Sequence, residues 1–160
     1  MTGIYLLTIL LGILPISELR GAIPYAYFNG VPLWLSAVIG TLSNALVPFI
    51  GFTFLASIHK LLDKWPFYHR LFEKTVARAR SKVGEKVRKY GLFGLMFFVA
   101  IPLPITGAWT GTLGAWVLGL DLKKSTAFIL LGVLISGIIV TTVIFTGSEI
   151  AGLFTKTVNI

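Results

Sequence analysis

The ten residues P-I-S-E-L-R-G-A-I-P, at positions 15–24, interrupt an apolar stretch that runs over residues 3–28. A second interruption, P-L-P-I-T-G-A-W-T-G at positions 102–111, divides another apolar stretch, residues 91–120. Helix breakers and charges are unfavourable in hydrocarbon, and in membrane proteins they tend to accompany binding sites. The two interruptions therefore predict both how the chain folds and where its site lies.

The composition of the chain is that of a membrane protein. Of its 160 residues, 56% are hydrophobic and 12% charged, and the mean hydropathy is +0.88. This leaves too little polar surface to cover a soluble globule, so we expect one all-α membrane domain, 1–160. No basic residue precedes Arg20, and we therefore expect no cleaved signal peptide.

Residue types suited to metal or covalent chemistry are scarce. There is no cysteine, and the two histidines, His59 and His69, lie in a basic segment. We expect no metal site and no cofactor. The chain also has no HExxH or GxSxG motif and no second intramembrane carboxylate for a protease dyad, so no enzyme activity is predicted.

Four apolar stretches can be recognised, and they are of two kinds. Residues 33–58 and 125–154 each fit a full span, whereas the interruptions split 3–28 and 91–120 into pieces too short to span. Two short helices joined at membrane depth form a re-entrant hairpin. The residues assigned to breaking the helices are Pro15, Gly21, Pro24, Pro102, Pro104 and Gly107.

The positive charges favour hairpins over the alternative of four plain spans. Ten of the fourteen Lys and Arg residues lie in 60–89, and Lys123 and Lys124 lie before the last stretch. A hairpin at 91–120 places both groups on the cytoplasmic side, as positive charges prefer. The prediction is a first repeat, 1–58, a linker, 59–90, and an inverted second repeat, 91–160, a plan common in transporters.

The linker has the pattern of an amphipathic helix that begins near Pro66. Nine apolar residues recur at a mean spacing of about 3.6, the helical period: Leu61, Trp65, Tyr68, Phe72, Val76, Ala79, Val83, Val87 and Tyr90. Basic residues lie between them, which is typical of helices on anionic lipid headgroups. Nucleic acid is the competing partner for a basic helix, and we do not expect it in a membrane protein.

Glu18 and Arg20 are the ionisable residues of the first interruption. A guanidinium suits an anionic group such as phosphate, so Arg20 is predicted to bind substrate, with Glu18 as its protonatable partner. In the structural alternative the two charges only neutralise each other, or Glu18 occupies the positive first turn of the half-helix after Pro15.

The second interruption is uncharged but contains hydroxyl and small residues. Thr106, Trp109 and Thr110 are predicted to line the substrate path, and Asn44 in the preceding span is added as a possible lining residue. Small residues recur every fourth position and predict close helix packing: Gly107, Gly111, Ala115 and Gly119. Polar and small residues hold comparable places in the two spans: Ser43, Asn44, Ser136 and Gly137.

Together, P-x-x-E-L-R-G-A-I-P, the basic linker and P-L-P-x-T-G-A-W-T-G resemble the prokaryotic family of small multidrug export proteins, over essentially the whole chain. That family is distantly similar to the DedA/VTT membrane proteins. The resemblance implies a multi-pass protein of the prokaryotic inner membrane with two opposed re-entrant hairpins, and some DedA relatives are implicated in moving polyprenyl phosphate or phospholipid. The arginines usual in the second hairpin of DedA proteins are replaced by Val99 and Ile105 in the nearest comparable places.

Three functions are consistent with the residues. The first is a transporter or flippase for an anionic lipid such as polyprenyl phosphate, with Arg20 on the phosphate and Glu18 taking protons. The second is a proton-coupled exporter of lipophilic cations, against which the nearby Arg20 argues. The third is a noncatalytic membrane scaffold. A homodimer is expected because so small a transporter has glycine-lined faces.

Overall fold

The computed structural model describes residues 2–57, 59, 62, 64–103 and 106–158, and all regular secondary structure in this part of the chain is helical. The all-α prediction is therefore confirmed. The helices with defined bounds are α1 (Thr2–Ile13), α2 (Glu18–Phe28), α3 (Leu33–Ala45), α4 (Val47–Ala56), α5 (Pro66–Ala100), α6 (Ala108–Val117) and α7 (Leu122–Val158).

The first break in the helices lies between α1 and α2. Residues 14–17, which include Pro15, form a tight turn, in which the Glu18 N–H donates to the Leu14 carbonyl at 3.0 Å. The prediction that Gly21 and Pro24 also break the helix is wrong, because both lie inside α2. A proline within a helix removes one hydrogen bond, here the bond to the Arg20 carbonyl, and the remainder of α2 keeps its helical pairing.

The second break lies between α5 and α6. It contains Pro102 and Gly107, as predicted, whereas Pro104 lies outside the described residues. The Thr106 hydroxyl donates to the Ile101 carbonyl at 2.6 Å and accepts the Leu103 N–H at 3.2 Å. This side chain therefore links Ile101, Leu103 and Thr106 across the break.

Among the residues that the structure describes, two helical segments are long and apolar enough to cross a membrane. They are Leu33–Ala56, where α3 and α4 meet at Leu46 just before Pro48, and Leu122–Ser148 in α7. They coincide with the two full spans expected from the sequence. The re-entrant geometry of the other two stretches and the inverted repeat remain predictions.

Residues 66–90 of the predicted amphipathic linker form the first part of α5, which begins at Pro66 as predicted, and Leu61 lies outside the described residues. The apolar face packs inward at its centre, where Ala79 and Val83 are buried, and Trp65 and Tyr90 at its ends are exposed. Gly91, with φ of 60° and ψ of −141°, divides α5 into a basic part and an apolar part. Only glycine adopts this backbone readily, so the kink is set by the residue type.

The last helix, α7, lies at the centre of the packing and contacts α2, α3, α4, α5 and α6. The small residues predicted to allow close packing do so within one chain: a Cβ at Gly111 would lie 2.7 Å from Val99, and Ala115 is fully buried. Gly119 differs, since it has open space around it and ends α6 with a φ of +66°. Much of this small-residue face is thus occupied by contacts within the chain itself.

Candidate functional site

The site is built where the two breaks in the helices meet. The Glu18 carboxylate, at the start of α2, accepts the backbone N–H of Ala108 at 3.3 Å and that of Trp109 at 3.2 Å. These are the first two amides of α6, which have no partner within their own helix. A side chain 90 residues away in the sequence therefore serves as the N-cap of α6.

Gly107 makes this arrangement possible. It occupies the N-cap position of α6 with φ of +144°, and it has no side chain with which to cap the helix. A Cβ at Gly107 would overlap the Glu18 carboxylate, so the close approach of the two breaks requires glycine at this position.

The Glu18 backbone is also unusual. Its φ of +52° lies in the left-handed region, and among the described residues other than glycine it is the one with a positive φ. Such a conformation in a non-glycine residue costs roughly 1–3 kcal/mol and tends to occur at functional sites. The strain accompanies the placement of the carboxylate on the amides of α6.

Arg20 pairs with the same carboxylate. One guanidinium nitrogen lies 3.5 Å from Glu18 Oε2, and the two side chains are 17% and 5% exposed. The other terminal nitrogen, Nη1, is buried and has no hydrogen-bond partner among the described residues. A buried guanidinium with a free donor is costly, so it indicates a group still able to receive an acceptor.

Asn44 completes the polar set from α3. It is fully buried, and neither its amide oxygen nor its amide nitrogen has a hydrogen-bond partner of accepted geometry in the described part of the chain. Glu18, Arg20, Asn44, Thr106 and Ser136 line one small space, which has no room for a water molecule.

Trp109 links this site to a second, larger cavity. Its indole N–H donates to the Ile13 carbonyl at 2.7 Å, so the residue holds α6 against the end of α1 as well as against Glu18. The side chain lines the larger cavity, and Thr110 lies there too.

Of the predicted site residues, the structure thus brings together Glu18, Arg20, Asn44 and Thr106. Trp109 joins them through its backbone, whereas Thr110 lies in the wall of the other cavity. Sequence reasoning missed the amides of α6, because backbone donors have no residue signature. Ser136 was not among the predicted lining residues, although the sequence shows polar residues at comparable places in the two spans.

The electrostatic balance at the site is positive. Besides Arg20, the N-terminus of α6 points at the carboxylate, and a helix N-terminus carries about half an elementary positive charge. Glu18 is the one carboxylate that lines this space among the described residues. In that part of the chain no group of three His, Cys, Asp or Glu side chains is placed to hold a metal ion.

Comparison with known proteins gives one family. The model of the family described as "Putative small multi-drug export protein" matches residues 18–139, a range that begins at Glu18 and includes both halves of the site. No match was found among the curated proteins or among the solved structures.

Proposed function

Since this chain belongs to the small multidrug export protein family, a family of membrane transporters, we propose that it transports amphiphilic anions across the cell membrane. The proposed substrates are lipid phosphates of the polyprenyl-phosphate kind. Arg20 and the N-terminus of α6 receive the anionic group, and Glu18 exchanges a proton.

One observation carries this proposal: positive groups outnumber negative groups where α2 and α6 begin. The N-terminus of a helix binds phosphate and carboxylate through its free amides. Arg20 Nη1 and the Asn44 amide nitrogen add two buried donors without partners in the described residues. These donors suit the oxygens of a phosphate, whereas a cationic substrate would meet like charge.

The fold that we propose for transport consists of two opposed re-entrant hairpins. The first is α1 with α2, and the second is the apolar part of α5, after Gly91, with α6. Each is followed by a span, and the start of the returning helix in each hairpin lies at the site. Half-helices of this kind point their N-termini at anionic substrate groups in several transporter folds.

Glu18 couples the two hairpins in the proposed mechanism. Its bonds to Ala108 and Trp109, with the bond from the Trp109 indole to Ile13, tie the hairpins into a closed arrangement. Protonation of Glu18 removes the charge that strengthens two of these bonds. The amides of α6 and Arg20 are then released to a substrate anion, and the hairpins can separate.

The family description favours a second candidate, export of lipophilic cations in exchange for protons. The specific observation in its support is the buried Glu18 carboxylate, which is the kind of group that binds such cations. In this structure Arg20 and two amides already satisfy that carboxylate, so a cation would have to displace them.

Transport by purified protein in liposomes distinguishes these functions. We expect uptake of a fluorescent polyprenyl phosphate analogue and no uptake of ethidium, and we expect Arg20→Gln to slow uptake about tenfold or more, since charged hydrogen bonds contribute roughly 1.5–3 kcal/mol. Uptake of ethidium alone would establish cation export. If neither compound were transported, both transport functions would be contradicted and the scaffold function would be favoured.

The proposed topology is testable because the chain has no cysteine of its own. Single cysteines at Asn29, just after α2, and at Lys123, in the first turn of α7, should react with a membrane-impermeant thiol reagent from opposite faces. Lys123 is exposed, whereas Ser125, two residues further on, is fully buried and unsuitable for labelling. Labelling of both positions from one face would contradict the inverted hairpins.

Three further predictions accompany this function. The protein is proposed to lie in the prokaryotic inner membrane with the basic part of α5 on the cytoplasmic side, where anionic headgroups face it. It is proposed to act as a homodimer. Its distant similarity to DedA proteins is proposed from the two hairpin motifs.

A further inference from the structure

A second cavity, of about 340 Å³, lies between α4, α5 and α6 beside the turn that contains Pro15. Its volume is within the range of small-molecule sites, about 300–1,000 Å³. Most of its wall is apolar, with Phe54 and Leu55 from α4, Ala79 from α5, and Leu113 from α6.

Two cations also line this cavity. Arg78 and Lys82 are one helical turn apart on α5, so they lie on the same face of that helix. Neither forms an ion pair with any described residue. Other basic residues of the same helix, such as Arg70 and Lys74, do not line the cavity.

We propose that this cavity is a binding site for an anionic phospholipid, with an acyl chain against the apolar wall and the phosphate on Arg78 and Lys82. An apolar space bordered by unpaired cations is complementary to a molecule that has an apolar tail and an anionic head. A zwitterionic lipid gains less from two cations, and a lipophilic cation is repelled by them.

The proposed lipid site lies next to the central site, and Trp109 is shared between them. Trp109 lines this cavity with its side chain, while its backbone N–H binds Glu18. A lipid chain seated here therefore touches the residue that separates the cavity from the central site. A role as the entrance to the central site rests on the proposed function, whereas lipid binding itself does not.

Tryptophan quenching tests the site directly. In a variant with Trp34, Trp65 and Trp116 replaced by phenylalanine, Trp109 is the sole emitter. In vesicles, phosphatidylglycerol with brominated acyl chains should quench Trp109 more than brominated phosphatidylcholine at equal mole fraction. Arg78→Gln with Lys82→Gln should reduce that preference roughly 10- to 30-fold, because each basic residue near a membrane surface contributes about 1 kcal/mol.

The matched control is Arg70→Gln with Lys74→Gln, which removes the same charge from the same helix and should retain the preference. Equal quenching by the two lipids, or equal loss in both double variants, would overturn the proposal. If the single-tryptophan variant does not fold, native mass spectrometry of the parent and the two charge variants replaces it. Retained phosphatidylglycerol should then be lost only from the Arg78/Lys82 variant, and any other pattern contradicts the site.

This experiment measures binding at equilibrium and is independent of transport. Loss of selective quenching with normal uptake of polyprenyl phosphate would remove the lipid site and leave the proposed function. Selective quenching without uptake of any substrate would retain the lipid site and contradict the proposed transport function.

Discussion

Replacement of Glu18 by glutamine is expected to abolish proton-dependent transport while leaving a membrane-inserted protein. The side chains are nearly equal in size, so the change acts on charge and hydrogen bonding. The carboxylate now offers acceptors to two amides of α6 and to Arg20. A glutamine offers one oxygen, and its NH₂ group would face a donor.

The Glu18→Gln variant should be less stable than the parent because the groups that contact Glu18 are buried. A buried donor left without an acceptor costs roughly 1–3 kcal/mol. Arg20 would also lose its charged partner. A buried charge without a partner lowers the stability of the folded protein more than a buried neutral group without one. We therefore expect a lower thermal midpoint in detergent and transport at least about tenfold slower than in the parent.

The measurement is uptake of the polyprenyl phosphate analogue in liposomes with and without a proton gradient. Glu73→Gln is the matched control, since Glu73 is exposed on α5 and takes no part in the site. It should behave as the parent. An unchanged response of Glu18→Gln to the proton gradient would remove Glu18 from the mechanism.

Replacement of Gly107 by alanine is expected to have an effect of similar size through geometry alone. Two costs arise at once: the φ of +144° is strained for any residue with a Cβ, and that Cβ would overlap the Glu18 carboxylate. The strain alone amounts to roughly 1–3 kcal/mol. The overlap must also push the carboxylate off the amides of α6, so transport should fall to the level of the Glu18 variant.

Gly119→Ala separates these two costs. Gly119 also has a positive φ, +66°, but a Cβ there would meet nothing within 4 Å. This control should be less stable than the parent yet transport normally in proportion to folded protein. Equal transport defects in the two glycine variants would mean that backbone strain, and not contact with Glu18, explains the result.

The contact can also be measured by a double-mutant cycle. Glu18→Ala removes the group that a Cβ at Gly107 would overlap. The stability losses of Glu18→Ala and Gly107→Ala should therefore combine to less than their sum, because residues in contact are not independent. Full additivity would show that the two residues do not touch in the folded protein.

Much of the fold is readable from the sequence because it depends on local properties. Hydropathy predicts spans at 33–58 and 125–154, and the structure has them at Leu33–Ala56 and Leu122–Ser148. The period of 3.6 identifies the amphipathic part of α5 with its start at Pro66. The breaks near Pro15 and Pro102 follow from missing backbone donors. The wrong prediction at Gly21 and Pro24 also came from local properties. Helix propensity describes one residue at a time, whereas packing against other helices can keep a helix intact across an unfavourable residue.

The site was only half readable. Charge in an apolar stretch singled out Glu18 and Arg20, but the groups that they face come from distant parts of the chain. Nothing local shows that Asn44 would be buried beside them, or that Thr110 would turn to the other cavity. In the sequence, Arg78 and Lys82 of the second cavity also cannot be distinguished from the other basic residues of the amphipathic helix.

By itself, the sequence determined that this is a helical membrane protein, that its helices break near Pro15 and Pro102, and which residues of its apolar stretches are charged. These properties follow from solvation and backbone chemistry, which act residue by residue. Only the tertiary structure decided that Glu18 caps α6 across 90 residues, that Gly107 leaves room for it and that one Arg20 donor has no partner among the described residues. Those facts depend on which elements pack together, and that is set by the sum of many contacts along the whole chain.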